Sequence, residues 1–222
     1  MDNTQQVVNS LAQLVYSVAE EIDKNPYAVP VGISARHVHV SKEAFELLFG
    51  KGKSLTKFKP LSQPGQFASN ETVEIIGAKG SIKKVRILGP ERKDCQVEIS
   101  AADARTLGIK APVRASGDID GTPGIKIKGP CGEIGISNGV IIAERHVHMN
   151  CDDANWFGVK NGDSVMVSVP GSKGGIMGNV TVRVSDSYAL DMHIDTDDAN
   201  AFSLKQGQKV TLINKRFDSK EI

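Results

Sequence analysis

Four of the five histidines in this chain lie in two copies of one tetrapeptide, Arg36-His37-Val38-His39 and Arg145-His146-Val147-His148. Alternation along a strand puts residues i and i+2 on the same face, about 6–7 Å apart at Cα. His37 and His39 would therefore project together, as would His146 and His148, a spacing that suits two imidazoles converging on one metal ion. A lone strand histidine is more often a hydrogen-bonded core residue than a ligand. Two copies of the same tetrapeptide shift the balance to metal binding.

The residues that follow each pair extend the pattern. His148 leads through Asp152-Asp153-Ala154-Asn155 to Val159-Lys160, and His193 leads through Asp197-Asp198-Ala199-Asn200 to Leu204-Lys205. Glu98 leads in the same register through Asp103-Ala104 to Ile109-Lys110, and His39, one residue shorter, through Glu43-Ala44. This alignment puts Glu98 and His193 where His39 and His148 stand in their own units. Two ligand sets result: His37, His39 and Glu98, and His146, His148 and His193. Three protein ligands with one open position is the arrangement of catalytic zinc, whereas structural zinc is closed by four. Imidazole and carboxylate suit zinc best, with iron, nickel and copper left open. The plain alternative for Glu98 is a surface strand carboxylate.

Positive charge gathers in Lys83, Lys84, Arg86, Arg92 and Lys93. Arg92, just after the turn Gly89-Pro90 and six residues before Glu98, is placed to reach a metal-bound anion, since a guanidinium fork matches phosphate geometry. A solvated basic hairpin is the plainer reading of the segment. Pro170-Gly171-Ser172-Lys173-Gly174-Gly175 lacks the Gly-Lys-Ser/Thr ending of a phosphate loop and reads as a hairpin loop.

The elements that must position these side chains are short strands. Runs such as Val31 to Val40, Val73 to Ile76, Val85 to Leu88, Val140 to Ala143, Val165 to Val169 and Val180 to Val184 are separated by Gly, Pro and Lys. Such texture argues for barrels or sandwiches. Each repeat unit reads as strand, Ser/Asn/Asp cap, short helix and turn. The expected fold is mainly β, with two similar small β-barrels capped by short helices. An N-terminal amphipathic helix precedes them. Val7, Val8, Leu11, Leu14, Val15, Val18 and Ile22 recur at helical spacing, and Asn25-Pro26 ends the pattern. That helix packs on the core or docks on a partner.

With 40% hydrophobic and 24% charged residues, the composition is that of a globular protein. A net charge of +1 gives no bulk argument for nucleic acid or an acidic membrane surface, and neither is expected as a partner. Cys95, Cys131 and Cys151 form no Cys-x-x-Cys pair, and no basic, apolar leader precedes them. A reducing cytoplasm is the expected setting. No apolar run approaches the roughly 20 residues of a membrane span.

Several of these motifs together resemble the phosphate acyltransferases (phosphate propanoyltransferases) of bacterial propanediol-utilisation microcompartments. They are Gly32-Ile33-Ser34-Ala35-Arg36-His37-Val38-His39, Gln63-Pro64-Gly65-Gln66, Gln96-Val97-Glu98-Ile99-Ser100, Gly121-Thr122-Pro123-Gly124, Arg145-His146-Val147-His148-Met149 and Met192-His193-Ile194-Asp195-Thr196. They run in order from Pro30 to about Leu212. The resemblance implies a helix over 1–25, one barrel from 26–35 plus 144–214, and a second from 36–143. It implies two zinc ions on the ligand sets above and acyl transfer between coenzyme A and phosphate. By position, Ser34, Lys59, Arg86, Leu88, His193 and Asn200 would line the coenzyme A site. Arg92 would hold phosphate, and Arg92 and Glu98 would be catalytic. A homo-oligomer is expected, located in a bacterial microcompartment through a shell or cargo partner bound by residues 1–22. The alternative is a two-zinc hydrolase of a thioester or phosphoester, and a non-enzymatic metal-binding cargo module stands behind both.

Overall fold

The structure, a computed structural model, describes residues 27–213, with Val7 and Gln13 ahead of them. The expected helix over 1–25 otherwise lies outside the described residues. The first part of the chain runs β1 (Ala28–Ser34), β2 (His37–His39), α1 (Lys42–Phe49), β3 (Lys57–Pro60), β4 (Phe67–Ile76), β5 (Ser81–Gly89), β6 (Gln96–Glu98) and α2 (Ala101–Leu107). It continues through β7 (Val113–Arg114), β8 (Ile125–Lys128), β9 (Glu133–Ile136) and β10 (Val140–Ala143). Then follow β11 (His146–Met149), α3 (Cys151–Phe157), β12 (Ser164–Val169), β13 (Gly175–Val184), β14 (Asp191–Asp195), α4 (Thr196–Phe202) and β15 (Lys209–Ile213).

Six strands close into a barrel in the order β1-β14-β11-β13-β12-β15, and β1 seals it by pairing with both β14 and β15. The other sheet repeats that order and strand sense as β10-β6-β2-β5-β4-β8. It does not close. The free edge of β8 is taken by β9 and that of β10 by β7, while β3 pairs with β4. The mainly β fold with two related units and short helices is as expected, one unit a closed barrel and the other a half-barrel left open.

The run from Val31 to Val40, continuous in sequence, is divided between the two sheets. Its first part is β1 of the barrel, and after Ala35 and Arg36 the chain enters the open sheet as β2. Alternation then does its work in each sheet. Val38 and Val147 are buried in separate hydrophobic clusters, while the flanking histidines face the other way. Phe45 and Leu48 of α1 are fully buried in one cluster and Met149 and Met192 in the other. Burial of each such side chain stabilises by about 1.5–3 kcal/mol.

Each of α1 to α4 starts within three residues of the end of a strand that carries a candidate ligand, and each has a polar N-cap: Ser41, Ser100, Asn150 and Asp195. Ser100 with Asp103 and Asn150 with Asp153 form capping boxes. These caps stop the strand and turn the chain immediately after the ligand. The strand end and the helix start are thereby held at one place in the fold.

Candidate active site

The ligand sets come together as the repeat implies. In the open sheet, antiparallel β2 and β6 set His37 opposite Glu98 and His39 opposite Gln96. In the barrel, β11 and β14 set His146 opposite His193 and His148 opposite Asp191. The donor atoms of His37, His39 and Glu98 lie within 4.8 Å of one another, as do those of His146, His148 and His193. Among the described residues these are the groups of that kind that could hold a metal ion.

Both clusters line one cavity of about 650 Å³ between the two sheets. Ser34, Lys59, Arg86, Leu88 and Arg92 also line it, whereas Asn200, exposed on α4, is not part of its wall. The turn between β3 and β4 joins the units at the rim. Buried Gln63 donates to the Ala189 carbonyl at 2.9 Å, and Ser62 Oγ lies 3.3 Å from His193 Nε2.

The electrostatics divide the cavity. Glu98 is buried, which alone would raise its pKa, but His37, His39 and the Ser116 hydroxyl outweigh burial and hold the carboxyl well below its usual range. His37 is raised above its ordinary value because Glu98 outweighs its burial. Burial, reinforced by nearby cations, pushes His39 and His146 down to about 3 and His148 to about 4. These three rings are neutral bases at pH 7, the form that binds metal. Arg92 is half-buried and donates to Ser116 Oγ at 3.1 Å, and Ser116 donates to Glu98 Oε1 at 2.8 Å. Burial lowers the Arg92 pKa, and Glu98 opposes the shift. Arg86 stacks on the Phe58 ring at 5.0 Å and donates to the Ser69 carbonyl.

A model of the phosphate propanoyltransferase family matches residues 30–205. This chain belongs to the phosphate propanoyltransferase family. Among its relatives, the phosphate propanoyltransferase of Rhodobacter capsulatus is 52% identical over 182 residues, which cover 82% of this chain and 85% of the relative. That of Thermotoga maritima is 49% identical over 186 residues, 83% and 88% of the two chains. That of Salmonella typhimurium is 48% identical over 183 residues, 82% and 86% of the two.

The donor chemistry of this family member fits metal ions. His37 Nδ1 lies 2.9 Å from the Ala35 carbonyl and His146 Nδ1 lies 2.8 Å from the Glu144 carbonyl. A carbonyl only accepts, so each Nδ1 carries the proton and leaves Nε2 as a lone pair in the neutral ring. In the barrel, His146 Nε2 faces His148 Nε2 at 3.1 Å. The Nδ1 atoms of His39 and His148 are buried without a hydrogen bond of acceptable geometry, although the Leu88 carbonyl stands near His39.

Several site residues escaped the sequence reading. Gln96 Nε2 donates to Glu98 Oε1 at 2.6 Å, and Asp191 Oδ2 lies 3.0 Å from His193 Nε2. Both stand two positions before a third candidate donor, on the same strand face, so the period of two that revealed the donors also marks them. Ser116, Arg183 and Tyr188 line the cavity from loops or from a strand without a repeated motif, and no spacing signals them.

Proposed function

We propose that this protein moves an acyl group, propanoyl or acetyl, between coenzyme A and inorganic phosphate at a cavity holding two zinc ions. One observation carries the reading: two three-donor clusters open onto a single cavity that also carries Lys59, Arg86, Arg92 and Arg183. A thioester hydrolase would need the donors but no second anionic substrate, and the cationic wall favours the transferase.

In the reaction, the thioester C–S bond breaks and its electron pair leaves with sulfur. A phosphate oxygen bonds to the acyl carbon, giving acyl phosphate and coenzyme A. His37, His39 and Glu98 would hold one ion and His146, His148 and His193 the other. Such ions, when bound, supply Lewis acidity that favours a thiolate and offsets charge on an acyl oxygen.

The chain's own residues do the positioning. Arg92, fixed through Ser116, retains N–H donors to fork onto phosphate. Ser34, Lys59, Arg86, Leu88 and His193 would guide coenzyme A, with Asn200 farther out on α4. Lys59 and Arg86 suit its phosphates. Residues 1–22 are read as the docking element for a microcompartment shell or cargo partner, and the working unit as a homo-oligomer. Deleting 1–22 should leave turnover intact and abolish co-sedimentation with shells, and light scattering checks the assembly.

The deciding experiment follows thiol release from propanoyl- or acetyl-CoA with and without phosphate, before and after chelation. Phosphate-dependent release, lost on chelation and restored by zinc, is expected. Release independent of phosphate would overturn the transferase in favour of a hydrolase.

A further inference from the structure

The arginine of each Arg-His-Val-His copy makes the same contact in the two halves of the molecule, a fork onto a helix aspartate. Arg36 donates from Nε to Asp103 Oδ2 at 2.8 Å, and its second nitrogen lies 2.7 Å from Asp103 Oδ1. Arg145 donates to Asp198 from Nε at 3.0 Å and from the terminal nitrogen at 2.6 Å. Both are two-point forks, the geometry in which an arginine–carboxylate pair carries direction as well as charge.

The acidic partners occupy equivalent places. Asp103 follows Glu98, and Asp198 follows His193, by the same interval, and both lie in the first turn of the helix behind the third ligand. The arginines immediately precede His37 and His146. Those histidines stand opposite Glu98 and His193 on the outermost rung of ladders with three paired rungs each. An end rung has no further pair beyond it to hold it and is where a short ladder frays. Each fork spans the gap just past that rung, joining the strand that carries two donors to the helix that follows the third.

We propose that Arg36–Asp103 and Arg145–Asp198 are positioning pairs, each holding the third ligand of one metal site in reach of its histidine pair. The inference rests on the two-metal reading above. It gives the repeated arginine and the repeated helix aspartate one role, served twice.

The test counts zinc ions that resist a chromogenic chelator, on the full chain loaded with zinc. The unsubstituted protein should retain two. Asp103→Asn and Asp198→Asn keep side-chain size but lose the charged fork, and each should weaken one ion by about 10–100-fold, the usual effect of removing a group that orients a ligand, while the other ion is held as before. Arg145→Lys, which keeps the charge without the fork, should behave as Asp198→Asn does. Adding Asp198→Asn to His193→Ala should cause no further loss, whereas adding it to Glu98→Ala should leave no tightly held ion. Retention of both ions at unchanged affinity in these variants would overturn the inference, as would simultaneous loss of both from a single variant. Absence of zinc binding by the unsubstituted protein would overturn the metal reading beneath it.

Discussion

His37 Nε2 and Glu98 Oε2 lie 3.4 Å apart across the end rung between β2 and β6, and both side chains are buried. Such a pair is an expensive thing to place in a protein interior unless it is used, because desolvation of two charges offsets much of their attraction. The barrel has His193 at the position of Glu98, so its cluster contains three imidazoles and no carboxylate donor. The two halves thus offer different donor sets on one shared backbone pattern, the barrel's carboxylate, Asp191, standing beside His193 and not among the donors.

Replacing Glu98 by Gln tests that difference at nearly constant volume. The amide keeps an oxygen toward Ser116 but removes the anion that His37 faces. Zinc content should fall from two ions to one and turnover by about 100-fold or more, by comparison with the 10–100-fold typical when only an orienting group is lost. Elemental analysis and the thiol-release assay read the two effects separately. Unchanged zinc content would remove Glu98 from the ligand set.

Arg92→Lys should raise the phosphate KM at least about tenfold, because an ammonium cannot make the two-point contact of a guanidinium. The KM for acyl-CoA should change little, since Arg92 is anchored at Ser116 beside Glu98 and not with Arg86 on β5. Steady-state kinetics with each substrate varied in turn decides it. A selective rise in the acyl-CoA KM would put Arg92 at the coenzyme instead.

The two donor clusters were legible because strand alternation and a repeated motif both mark them, and Glu98 could be found only through the alignment of the units. What stayed hidden depends on pairing between distant segments. Nothing in the run Val31 to Val40 signals that β1 and β2 belong to different sheets, since their ladder partners lie far along the chain, at β14 and β6. Closure was equally hidden. Whether β10 meets β8, as β1 meets β15, is decided by the short strands β7 and β9 that occupy those edges. Ser116 comes from a loop, where no periodicity applies.

Removing metal should abolish turnover without unfolding the protein. Each sheet has its own buried cluster of aliphatic and aromatic side chains, and neither depends on the six donor residues for its packing. The chelated protein should keep its far-ultraviolet circular dichroism. Zinc should raise its melting temperature, as any ligand of the native state does; at 100 times its Kd the gain is about 2.7 kcal/mol. Collapse of the spectrum on chelation would make the metals structural.

Gly32 tests the barrel site from behind. An added Cβ on β1 would stand 2.7 Å from Asp191 Oδ2, closer than real contacts come, and a tight 3.0 Å from His193 Cδ2. Asp191 is buried and is held by its contact with His193, so it has little room to retreat. Gly32→Ala should therefore displace the Asp191–His193 pair, at about 1–3 kcal/mol of overpacking strain. The ion at His146, His148 and His193 should weaken while the one at His37, His39 and Glu98 is kept. Chelator competition distinguishes the two, and denaturant unfolding measures the strain. Equal weakening at both sites would mean that the strain spreads through the cavity wall, and that Gly32 serves the packing of the barrel as a whole.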